Sequence, residues 1–193
     1  MELSYIFPII IFIFSVIIHE VSHGFSAYLQ GDNTAKYAGR LTLNPIPHID
    51  LFGSIILPGL LIFSGSPMVI GWAKPVPFNP YNLRNQKWGE AIVAFAGPLS
   101  NIFIALVFGV LLRFGLFTSL AEPFAYIVFI NLVLAVFNLV PIPPLDGSKI
   151  LFSIFPYSMR DVRNFLEKNG FIFLLIFVFF LWDKVFPIVM VLF

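Results

Sequence analysis

Ile9-Ile10-Ile11-Phe12-Ile13-Phe14-Ser15-Val16-Ile17-Ile18-His19-Glu20-Val21-Ser22-His23 is an apolar run, interrupted only by Ser15, that closes on three ionisable side chains. Two histidines at i and i+4 lie on one face of a helix, about one turn apart. Both rings can then reach one metal ion, while the carboxylate between them stands beside it as a base. In a soluble polar helix the same pentapeptide is a weak signal. Near the middle of a membrane helix each ionisable side chain costs about 2.5–3.5 kcal/mol on insertion scales, so three within five residues call for a compensating partner. A bound cation fills that role and points to hydrolysis within the bilayer. The competing reading is an interhelical hydrogen-bond network of polar residues.

Composition extends this reading to the whole chain. Of 193 residues, 59% are hydrophobic and 11% charged, against about 25% charged in soluble domains, and the mean hydropathy is +0.95. Four apolar stretches approach or exceed the roughly 20 residues that cross a bilayer: Leu3 to Leu29, Ala91 to Leu112, Phe124 to Val140 and Phe171 to Phe193. A fifth, Leu51 to Ala73, is broken by Gly53, Pro58, Gly59, Gly65, Pro67 and Gly71. It reads as a re-entrant or hairpin element, or as a span. The expected fold is an all-α polytopic membrane protein of about four spans, a single membrane-embedded domain over residues 1–193. With no Lys or Arg before it, the first run is expected to stay as a helix and not to be removed as a signal peptide. A net charge of +1 without a basic cluster speaks against a nucleic-acid partner. The absence of cysteine excludes thiolate metal sites and cysteine nucleophiles, so zinc would be held by His and carboxylate.

Charge placement suggests an orientation. Lys36 and Arg40; Lys74, Arg84 and Lys87; and Lys149, Arg160, Arg163 and Lys168 form three groups, with only Arg113 and Lys184 elsewhere. If residues 51–73 return to their starting side, nine of the eleven fall together, which the positive-inside rule makes cytoplasmic. His19 and His23 lie roughly 24–30 Å along the first helix, near that face of the cell membrane. A catalytic zinc takes three protein ligands. Asp50, Glu90, Glu122, Asp161, Glu167 and Asp183 sit at the ends of loops or spans. Asp146 alone is at matched depth, after Pro141, Pro143 and Pro144 end the helix. Asp146-Gly147 also reads as a turn in which Asp caps the next helix.

His19-Glu20-Val21-Ser22-His23-Gly24 together with Asn138-x-x-Pro141-x-Pro143-x-Leu145-Asp146-Gly147 resembles the site-2 protease family of intramembrane zinc metalloproteases. Gly39-Arg40-Leu41-Thr42-Leu43-Asn44-Pro45, Gly71-Trp72-Ala73-Lys74-Pro75-Val76-Pro77 and Ala96-Gly97-Pro98-Leu99-Ser100-Asn101 look like its short prokaryotic branch. Many relatives carry a PDZ domain, and no soluble insertion here is long enough for one. The resemblance implies one zinc ion on His19, His23 and Asp146, water activation by Glu20, and substrate orientation or oxyanion stabilisation by Asn138. It further implies transmembrane protein substrates, cut after trimming by an earlier protease.

Arg40-Leu41-Thr42-Leu43 alternates polar and apolar, so it is a candidate short strand and a candidate edge for an extended substrate. His48 reads as a polar residue at a loop mouth before it reads as a zinc ligand. Asn101 reads as an interhelical hydrogen-bonding residue, with the Pro-broken loop as a candidate partner. Two rival classes are a membrane zinc transporter and a non-catalytic membrane regulator. A transporter wants polar positions along a pathway and often a repeat, neither of which is found. A regulator has no need of Glu20.

Overall fold

The computed structural model describes residues 3–65 and 71–193. Four of its helical segments are long and apolar enough to cross a membrane: Ile6–Leu29, Gly89–Arg113, Thr118–Asn138 and Gly170–Leu192. They belong to α1 (Leu3–Leu29), α4 (Gly89–Arg113), α5 (Ala121–Asn138) and the last segment, α8 (Gly170–Ile176) joined to α9 (Trp182–Leu192) through a π-helical turn at Phe177–Leu181. Shorter elements connect them: α2 (Thr34–Tyr37), α3 (Leu57–Phe63), α6 (Asp146–Ile154) and α7 (Arg160–Lys168). The lipid-facing sides of the spans remain apolar, with Phe103, Leu106 and Phe180 largely exposed. In water such a surface would aggregate; in a bilayer it is the solvated face.

Helix α4 is the centre of the bundle, packing along α1 on one side and α5 on the other, and α6 closes against it. Ala105 of α4, Val128 and Leu132 of α5 and Val189 of α9 form one apolar cluster. A second joins Ala27, Val93 and Leu83 where α1 and α4 meet the loop before α4. Helices α1 and α4 are antiparallel: Gln30, just past the end of α1, donates through Nε2 to Gly89 O at the start of α4, 3.4 Å away.

The broken stretch at 51–73 is a hairpin. A π-helical turn over Leu51–Ile56 runs into α3, and 13 residues of helix reach only about 20 Å, short of a roughly 30 Å hydrocarbon layer. The chain is then back where it left, because Trp72 N donates to Gly53 O at 3.1 Å and Lys74 N to His48 O at 2.9 Å. Residues 66–70, with Pro67, lie outside the described residues.

The expected strand at residues 40–43 does not form, and no strand occurs among the described residues. Alternation makes a strand only where a second backbone offers a ladder. Here the Thr42 carbonyl is taken by the His48 ring, whose Nε2 donates to it at 2.9 Å. Arg40 turns inward and donates from one guanidinium nitrogen to Lys74 O at 2.7 Å and Pro75 O at 3.4 Å. The result is an extended strap, residues 71–79, laid against the end of α1.

Candidate metal centre

The i, i+4 spacing in α1 sets the His19 and His23 rings edge to face with centroids 4.6 Å apart, both on the face turned toward α4 and α6. Asp146 reaches them because the helix before it stops. Three prolines within residues 141–144 cannot continue a helical hydrogen-bond ladder, and α6 begins at Asp146 with no side-chain cap at its start. The carboxylate is thus free of the capping role, and its Oδ2 lies 3.1 Å from His19 Nε2 and 3.2 Å from His23 Nε2. Two glycines make the approach feasible. A Cβ on Gly97 would lie 2.5 Å from His23 Nε2 and 2.6 Å from His19 Nε2, and one on Gly147 would collide with the Leu139 carbonyl.

The far nitrogens are also held. His23 Nδ1 donates to Val93 O at 2.7 Å, and His19 Nδ1 faces Asn101 Oδ1 at 2.6 Å. With hydrogens on both Nδ1 atoms, the two Nε2 atoms carry lone pairs aimed, with Asp146 Oδ2, at one another, and three acceptors so placed need a cation among them. Their spacing suits zinc: bonds of about 2.0–2.1 Å to tetrahedral donors put those donors about 3.3 Å apart. His19, His23 and Asp146, all buried, are the only such group among the described residues. Glu20 is not part of it. Half-buried beside His19, its Oε2 accepts from Val76 N of the strap at 2.8 Å.

The other expected residues fall differently. Asn138 ends α5, and its side-chain Nδ2 donates back to Leu134 O at 2.9 Å. Arg40 is buried under the strap, Leu41 and Thr42 are half-buried, and Leu43 is exposed. His48 is 2% exposed and sits in the base of the hairpin, apart from the metal-type group. Asn101 does not meet the Pro-broken loop; it holds His19, a role that its sequence position alone could not reveal. The strap's far end is tied by Asp32, which accepts from Thr34 N and Oγ1, Asn79 N and Asn82 Nδ2. Burial pushes the Asp32 carboxyl up, but the hydrogen bonds from Thr34, Asn82 and Asn79 outweigh it and hold it below the usual carboxylate range.

A protein of Bacillus subtilis named as a zinc metalloprotease, YwhC, is 38% identical over 181 residues, covering 88% of this chain and 79% of its own length. The chain belongs to peptidase family M50. The M50 family model itself matches residues 115–181, which include the Asn138-to-Asp146 motif. A protein of Mycolicibacterium smegmatis named as a zinc metalloprotease, Rip2, is 32% identical over 141 residues, 69% of this chain and 51% of its own. A Methanocaldococcus jannaschii protein, MJ0611, named likewise, is 47% identical over 60 residues, 31% of each chain. No solved structure gives a match. This M50 peptidase is a zinc metalloprotease of the site-2 protease family, and its four apolar helices make it a multi-pass membrane protein.

Proposed function

We propose that this M50 peptidase hydrolyses peptide bonds of transmembrane protein substrates at a site near the cytoplasmic face of the cell membrane, with His19, His23 and Asp146 as the ligands of one zinc ion. The observation that carries the reading is the convergence of those three side chains within 4.8 Å, on the inner side of an apolar bundle, with Glu20 adjacent.

When bound, zinc supplies Lewis acidity, bringing the pKa of a water toward about 7 and polarising a peptide carbonyl. Glu20 would take a proton from the attacking water as its oxygen bonds to the peptide carbon, and would pass it to the amine nitrogen as the C–N bond breaks. Val76 N–H holds one Glu20 oxygen, which orients the carboxylate. Asn138, at the end of α5, is assigned to the substrate carbonyl. Residues 40–43, beside the strap, are assigned to the extended substrate backbone, which must unwind locally because a helical peptide bond is shielded by its own hydrogen bonds. The cytoplasmic assignment is supported by charge. Gln30 O accepts from Arg84 N and Glu90 pairs with Arg163, so the Lys- and Arg-rich connections share one end of the bundle.

Glu20→Gln in detergent-purified protein tests the reading. It should keep zinc while cleavage of single-span peptides, followed by mass spectrometry, falls by about 10²-fold or more. Cleavage at the wild-type rate would remove Glu20 from the mechanism.

A further inference from the structure

Val93 O can only accept, so the His23 tautomer is fixed by backbone alone. His19 has no such partner. Its Nδ1 faces an amide side chain, and an amide presents either an oxygen or an NH₂. Were Asn101 turned over, its Nδ2 would donate to His19 Nδ1, and the ring hydrogen would move to Nε2, pointing at Asp146 and away from metal-binding use. What holds Asn101 the right way round therefore bears on the metal site.

The restraint runs through α5. Asn101 Nδ2 donates to Asn131 Oδ1 at 2.8 Å and more weakly, at 3.4 Å, to Ser15 O. Asn131 is in turn oriented by a group of fixed polarity: its Nδ2 donates to Ile127 O at 2.8 Å and to Ser15 Oγ at 3.0 Å. A backbone carbonyl accepts only, so Asn131 must turn its NH₂ there and its oxygen toward Asn101. Asn101 must then turn its oxygen toward His19. Asn101 and Asn131 have no exposed surface and Ser15 is 4% exposed, so water offers neither amide another partner.

We infer that Asn131 is a positioning residue for the metal site, setting through Asn101 which nitrogen of His19 carries the hydrogen. This rests on the reading of His19 as a zinc ligand. Removing a hydrogen-bond partner behind a metal-ligating histidine typically weakens metal affinity about 10- to 100-fold, and Asn131 acts one amide further out. A residue that served only to pack α5 against α1 and α4 would lower stability without that effect.

The full chain in detergent, titrated with zinc against a competing chelator, separates these cases. Asn131→Leu keeps the branched side-chain skeleton, with bulkier methyl ends, and loses the polarity, so zinc binding should weaken by about 10-fold. Val128→Ala, one turn away on α5 and also buried, should lose stability and keep the wild-type zinc affinity. Equal zinc affinity in Asn131→Leu and wild type, or an equal loss in Val128→Ala, overturns the proposal. A second measurement does not depend on the variant folding. Imidazole ¹⁵N spectra of metal-free wild type should show a hydrogen on His19 Nδ1, and a neutral His19 with its hydrogen on Nε2 and none on Nδ1 would refute the relay outright. Wild-type protein that takes up no zinc refutes the ligand assignment and the relay with it. Zinc uptake without proteolysis removes only the hydrolytic reading and leaves the relay intact.

Discussion

Gly97 sets how close α4 comes to the metal-type group. Replacing it by alanine puts a Cβ 2.5 Å from His23 Cε1 and Nε2 and 2.6 Å from His19 Nε2, inside van der Waals contact with the two ring edges that face Asp146. Alanine is the better helix former by about 0.8–1.0 kcal/mol, so α4 itself is not weakened. The damage falls on the rings. Gly97→Ala should retain its helical circular dichroism and lose zinc, with affinity down by about 10-fold or more, measured as metal per chain after dialysis. Full zinc occupancy would show that the rings have room to shift. At this scale the sequence is uneven in what it reveals. His19 and His23 are legible because their contact is one helical turn, and Asp146 because depth and a proline break place it. Asn101 meets His19 across 82 residues, and nothing in its own neighbourhood marks that partner. Gly97 is equally silent, since a glycine beside a proline reads first as helix packing.

Among the elements, the strap over residues 71–79 is the one whose structure was least visible in advance. Its prolines forbid a helix, yet extended backbone with no ladder partner leaves no periodic trace. It is positioned from outside itself, by Arg40 at Lys74 and Pro75, by Glu20 at Val76 and by Asp32 at Asn79. The alternation at residues 40–43 misleads for a related reason: Arg40 is polar but points inward, because the strap carbonyls need a donor. Asp32→Ala would strip four hydrogen bonds from one carboxylate and leave Asn79 N without its partner. Stability should fall by about 1–3 kcal/mol, with amide hydrogen exchange over residues 76–83 accelerating before that of α4. The pH dependence follows from the same group. Its folded pKa is lowered, so its contribution is complete above the ordinary 3.8 and is lost as pH falls through the lower folded value. Wild type should therefore show strap exchange rising only under acid conditions below 3.8, and Asp32→Ala should show no such step. Unchanged exchange at Asn79 in the variant would mean that Arg40 and Glu20 suffice to hold the strap.

For the molecule as a whole, the decisive question is which ends of the helices share a side, and the answer turns on the hairpin. Glycine and proline spacing identify residues 51–73 as broken, but the return is fixed by contacts that join Trp72 to Gly53 and Lys74 to His48. A chain that crossed there would put Lys74, Arg84 and Lys87 opposite Lys36 and Arg40. The hairpin instead gathers nine of the eleven cationic residues at the end where α1 finishes and α4 begins. The natural lack of cysteine makes this directly measurable, because every introduced thiol reports without background. Cysteines at Gly39, Lys87 and Lys168 should all react with a membrane-impermeant maleimide from the cytoplasmic side only. A cysteine at Gly115, in the turn between α4 and α5, should react from the opposite side. Gly39 and Lys87 are the critical pair: they lie on either side of the hairpin and differ in side only if residues 51–73 cross the bilayer. Labelling of Lys87 from the side opposite Gly39, with Gly115 then labelled from Gly39's side, would convert the hairpin into a fifth span and invert α4 and every helix after it. Asp146 would then lie on the opposite side from His19 and His23, and no single ion could bind all three. The labelling pattern and the metal stoichiometry must therefore agree, and a mismatch between them would overturn the assignment of the site as well as that of the topology.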